Sequence, residues 1–219
     1  MARDWLLWQL ADSAFPSGGF AHSGGLEAAY QLGIVSDSQS LEVFLRSALP
    51  QLCRGVSCFA REAWERPENF RLIDRDCDLF LNNHVSNRAS RAQGQALLAS
   101  ASKAFLEAAV NDSVSQWAMT ARRDRLASHL APVFGLVAQA IGIPSAQMGH
   151  LFLFIHLRGY ISAAVRLGIV GPLQAQQIQS RIAMTSSIDS LDRSPAQINP
   201  MLDLLQLNQD RLYSRLFQS

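Results

Sequence analysis

The hydrophobic positions repeat mostly at helical spacing. Trp5 to Ala14 is apolar with few breaks, and the run Pro16-Ser-Gly-Gly stops it. A second short helix is expected after Gly24-Gly25, ending near Gly33. Asp37 or Ser38 then caps a long helix carrying Leu41, Phe44, Leu45, Leu49 and Leu52, which Pro50 should kink. Pro67 closes that helix or the next one, and Phe70 to Asn82 forms another. Asn87 to Val110 is rich in alanine, which favours helix and lets neighbours approach closely. Leu126 to Ile141 follows, ended by Gly142 and Pro144. Gln147 to Leu167 is apolar almost all round and is expected in the middle of the fold. Leu173 to Ile188 and Pro200 to Leu212 are the last two helices, around a polar stretch with Pro195 and Pro200. β-Branched runs with period-two alternation are lacking. The expected fold is all-α: one domain, an orthogonal multi-helix bundle with a nearly all-apolar central helix.

Composition narrows the function. The 219 residues are 48% hydrophobic with a formal net charge of +1. That suffices for a full core and gives no basic excess for nucleic acid. The start of the chain is interrupted by Asp4, and the most apolar stretch, Leu151 to Leu157, is too short for a bilayer. A cytoplasmic protein without membrane contact is expected. Cys53, Cys58 and Cys77 are then reduced thiols, mostly in the core.

Several chemistries lack their motifs. The single lysine, Lys103, follows Ser102 and forms no phosphate-binding loop. Cys53 and Cys58 have no second pair at zinc spacing. Of the five histidines, His84, His129, His150 and His156 read as core or capping residues. His22 stands in a glycine-rich loop beside Ser23, but adjacent side chains rarely face one another and no nucleophile elbow surrounds Ser23. A hydrolase using Ser23 and His22, or a nickel carrier using His22 and the cysteines, are the rival readings. No catalytic residue, metal ligand or cofactor of the chain's own is expected.

The unusual segment runs from Leu10 to Glu27. Four glycines and Pro16 between two short helices exceed the needs of a turn. They gather Pro16, Gly18, Gly19, His22 and Ser23 into a small volume, as a preformed docking surface would. At the other end, Arg215, Leu216 and Phe217 read as an amphipathic hook for burial or a partner groove.

The Leu10–Glu27 segment resembles the signature of the UreF family of urease accessory proteins at every fixed position. Arg88-Ala-Ser-Arg-Ala-Gln-Gly94, His129-Leu-Ala-Pro-Val-Phe-Gly135 and Tyr213-Ser-Arg-Leu-Phe-Gln-Ser219 resemble three further stretches of that family, in order. The resemblance implies an all-α homodimer that is not an enzyme. It implies binding to the accessory proteins UreD (also called UreH) and UreG, a GTPase, in an assembly that delivers nickel to apo-urease. Nickel is then handled by the partner complex. By position, Glu27 falls on the surface implied to face the GTPase, with Arg166 on the same surface. Residues 213–219 are expected to be mobile in the free chain and ordered by UreD. The chain departs from the family at Pro172, and at Gln209 and Asp210, where many relatives carry His-Glu.

Overall fold

The computed structural model describes residues 2–185 and 194–219. Among these the chain is all-α, with eleven α-helices, three short 3-10 turns and no strand. Helix α1 is Ala2–Ala11, α2 Leu26–Gln31, α3 Ser38–Arg54, α4 Ser57–Glu65, α5 Phe70–Phe80 and α6 His84–Ala104. Then come α7 Ala108–Asp124, α8 Leu130–Ala140, α9 Ser145–Arg166, α10 Pro172–Thr185 and α11 Pro200–Asn208.

Local chemistry sets the boundaries. Asp37 caps α3: its side chain accepts the Ser40 N–H at 2.8 Å, and Ser40 Oγ accepts the Asp37 N–H. The helix runs through Pro50 to Arg54. Helix α1 ends three residues earlier than expected, because Asp12 accepts the Ala14 N–H and turns the chain. The Arg158 guanidinium donates to the Ala11 carbonyl at that end. The expected helix over 87–110 is broken at Phe105, which is buried and stacks on Phe15. Asn111 of α7 donates to the Ser102 and Phe105 carbonyls and so satisfies the end of α6. No glycine or proline marks that break. The end of the expected 173–188 helix lies outside the described residues.

Two hydrophobic clusters make the core. The first gathers α4, α5, α6 and α8 around Phe59, Phe105, Phe134 and Phe152. The second gathers α2, α3, α10 and α11 around Leu26, Leu45, Ile161, Ile178 and Phe217. Helix α9 belongs to both, through Leu151 and Phe152 and then through Leu157, Ile161 and Ala164. By length and hydropathy α9 could cross a membrane, but half of that window is buried inside the fold. The most completely enclosed helix is α8, buried from Leu130 to Ala138. Gly135 lets α8 touch α4, since a Cβ there would lie 2.0 Å from the Ala60 carbonyl oxygen.

A buried polar cluster orients α8. Asp74 accepts the N–H groups of Ser128 at 2.9 Å and His129 at 2.7 Å, satisfying donors at the helix start. His129 Nε2–H donates to the Asp78 carboxylate at 3.0 Å, and its Nδ1 pairs with Ser90 Oγ, which accepts the Leu130 N–H. The bond from Asn87, then the one from His129, holds the Asp78 carboxyl below the usual range. His129 is wholly enclosed and Ser90 already serves the helix start, so this Ser-His-Asp row is a cap. His129 is a buried, hydrogen-bonded core histidine as expected, and His156 Nδ1–H donates to the Phe152 carbonyl at 2.7 Å within α9. His84 and His150 differ from expectation and are exposed.

Candidate docking site

The glycine loop lies along α6. Ser100 Oγ donates to the Pro16 carbonyl, Ala96 touches the space beside Gly18, and Gln93 lies beside Gly19. Past the 3-10 turn Gly19–Ala21 the chain dives between α9 and α11. Gly24 and Gly25 have φ of 62° and 93°, in the left-handed region. A Cβ on Gly24 would lie 2.8 Å from the Tyr160 ring, and one on Gly25 would lie 3.0 Å from Gln206. The loop therefore needs these glycines both for its turn and for its close approach.

That path brings Glu27 beneath residues 213–219. Glu27 is 1% exposed. Its carboxylate accepts the Leu216 N–H at 2.5 Å, the Phe217 N–H at 3.1 Å and Gln209 Nε2 at 2.6 Å. Gln209 Nε2 also donates to the Phe217 carbonyl at 3.1 Å. A buried carboxylate is tolerable only when such donors replace water. The expected surface position of Glu27 is thus corrected: it faces the chain's own tail segment. The expected mobility of 213–219 is corrected with it, since Phe217 is 4% exposed and belongs to the second core.

Further bonds fasten the same segment. Ser23 N–H and Oγ both donate to the Ser219 main-chain oxygen, at 2.5 and 2.9 Å, and the Gln218 N–H donates to Ala21 at 2.8 Å. His22 Nδ1 pairs with Ser219 Oγ at 2.7 Å. Burial, then the Arg88 charge, lowers the His22 pKa. Ser23 and His22 both turn to Ser219 and not to each other, which removes the nucleophile–base pair of the hydrolase reading. Among the described residues no three His, Cys, Asp or Glu side chains gather as a metal would need, so His22 and the cysteines form no common ligand set.

Arg166, at the end of α9, joins the loop to the tail segment. Its guanidinium lies 3.6 Å from the Phe20 ring centre and 4.2 Å from that of Phe217, and it donates to the Phe20 carbonyl. Arg166 is expected on a shared surface with Glu27; the two instead meet at Phe217, Arg166 over its ring and buried Glu27 at its N–H. Phe20 is 70% exposed, and Tyr213, Arg215 and Leu216 of the tail segment are exposed as well. Pro16 and Gly18 lie against α6, at Ser100 and Ala96. Phe20 and Gln209 went unrecognised as site residues in the sequence, although Phe20 sits inside the loop motif. Below the loop is a cavity of about 160 Å³, lined in part by His22, Tyr160, His156, Gln206 and Ser219. Burial pushes the Tyr160 hydroxyl up to about 12 and lowers His156, so both rings stay neutral near pH 7.

The UreF family profile matches residues 35–183. The chain is 36% identical to urease accessory protein F of Arabidopsis thaliana, over 98% of this chain and 92% of the relative. The chain belongs to the UreF family. It is 35% identical to urease accessory protein F of Oryza sativa subsp. japonica, over 97% of this chain and 84% of that one. Urease accessory protein UreF of Bacillus sp. strain TB-90 is 27% identical over the full length of both. The profile stops short of the glycine loop and the tail segment, whereas the full-length UreF relatives span both. Membership makes this chain a urease accessory protein and not an enzyme.

Proposed function

We propose that this UreF-family chain is a scaffold that docks UreD and the GTPase UreG so that nickel reaches apo-urease. The chain itself supplies the docking face, and nickel stays with the partner complex. The observation that carries this reading is the stacking of Arg166 between Phe20 and Phe217, which welds the glycine loop, the end of α9 and the tail segment into one surface. Exposed Phe20 and Tyr213 on a rigid frame are the composition of an interface hot spot. Glu27 acts through the tail segment as a positioning residue. The active form is a homodimer in the cytoplasm.

Titration of the purified chain with purified UreD, and of that complex with UreG, tests this. Sequential binding is expected, with no GTP hydrolysis by the chain alone. Failure to bind either protein, or GTP turnover that survives purification, overturns the reading.

A further inference from the structure

Three basic side chains, two from α6 and one from the tail segment, meet one carboxylate at the edge of this face. Arg88 of α6 grips Asp210 with both terminal nitrogens, at 2.8 and 3.2 Å. Arg215 reaches the same carboxylate at 3.2 Å, and so does His84. The Arg88 and Arg215 side chains are 52% and 46% exposed, and Asp210 is 30% exposed. One carboxylate cannot neutralise two guanidinium groups, so the cluster keeps a net positive charge even with His84 neutral.

The surroundings of the cluster are those of a binding face. Tyr213 is fully exposed and Leu216 is 53% exposed, on either side of Arg215. The backbone that carries them is fixed, because the Leu216 and Phe217 N–H groups are bound to Glu27. Arginine with a neighbouring tyrosine on a preorganised backbone is a strong anchor for a carboxylate, which arginine can take in bidentate fashion. An ion pair used only to fasten the tail segment would add little, since exposed pairs contribute about 0–1 kcal/mol and Glu27 already fastens it.

We propose that Asp210 is an internal stand-in: it holds Arg88 and Arg215 in the free chain until an acidic segment of a partner inserts an Asp or Glu side chain between them. Apolar neighbours of that acid pack on Tyr213 and Leu216. The inference rests on the reading of this face as the UreD docking site and names the chemistry that UreD must present. The two possible roles of Asp210 predict opposite signs. A stand-in competes with the partner, so its removal strengthens binding. A fastener supports the docked geometry, so its removal weakens binding.

The experiment measures association of wild type, Asp210→Asn and Arg88→Glu with purified UreD at low and high salt, beside thermal melts of each chain. Asp210→Asn should associate several-fold more tightly, with a steeper loss on adding salt, because an uncancelled charge steers the encounter. Arg88→Glu should lose about tenfold or more in affinity with an unchanged melting point, since close charge pairs at interfaces couple strongly. Weaker or unchanged binding by Asp210→Asn, or unchanged binding by Arg88→Glu, overturns the inference while the docking reading stands. A wild-type chain that binds no UreD overturns that reading, and this inference with it.

Discussion

Glu27 is an acid that meets N–H donors where a surface acid would meet a cation. Replacing it with alanine leaves the Leu216 and Phe217 N–H groups and the Gln209 amide without that acceptor. Each buried donor so stranded costs about 1–3 kcal/mol. Glu27→Ala should lower the urea midpoint accordingly and speed hydrogen exchange at Leu216 and Phe217, and unchanged exchange there would show that the carboxylate holds nothing. The glycine loop was legible in the sequence, because glycines have few other uses at that density. The burial of Glu27 was not, because its partners lie up to 190 residues away and a first-turn glutamate looks the same exposed or enclosed. His22 and His156 give a pH prediction at the same scale. Both titrate below the ordinary value, His22 through burial and then Arg88, His156 through burial. The unfolded chain, titrating near about 6.5, therefore binds more protons just below that pH. Stability should fall as pH drops through about 6.5 and level off below the folded values. Melting temperatures across that range check this, and His156→Phe should flatten part of the slope.

Helices were legible wherever apolar spacing and a capping residue agreed, as at Asp37 for α3 and at Gly142 for the end of α8. The division between α6 and α7 was hidden, because it depends on Phe105 packing against Phe15 and on Asn111 turning back to two carbonyls. Neither leaves a local signal in an alanine-rich stretch. The close packing foreseen from small residues is found, but its tightest points are Gly135 of α8 and Gly94 of α6, where a Cβ would lie 2.0 Å from a carbonyl oxygen, and not the alanines. Gly135→Ala should force α4 and α8 apart, a strain of about 1–3 kcal/mol or somewhat more. Chemical denaturation measures it. A neutral result would mean that the Ala60 carbonyl moves away without cost.

At the scale of the molecule, the tail segment closes the second core and completes the docking face at once. Phe217 packs with Ile161 and Leu205 in that core while its ring stacks on Arg166. Deleting residues 213–219 should therefore remove UreD binding and also cost about 1.5–3 kcal/mol for the lost Phe217 burial. The family resemblance located both ends of this face in the sequence, and only the folded chain showed them joined through Arg166. Phe20 separates docking from stability, because its exposed ring contributes little to the core. The most direct test is light scattering on size-exclusion eluates of the chain mixed with UreD and UreG, for wild type and Phe20→Ala. The wild type should elute as one complex with both proteins, and Phe20→Ala should elute apart from at least one of them with its melting point unchanged. A wild type that elutes alone, or a Phe20→Ala variant that assembles as well as wild type, would contradict a docking face built on this stack.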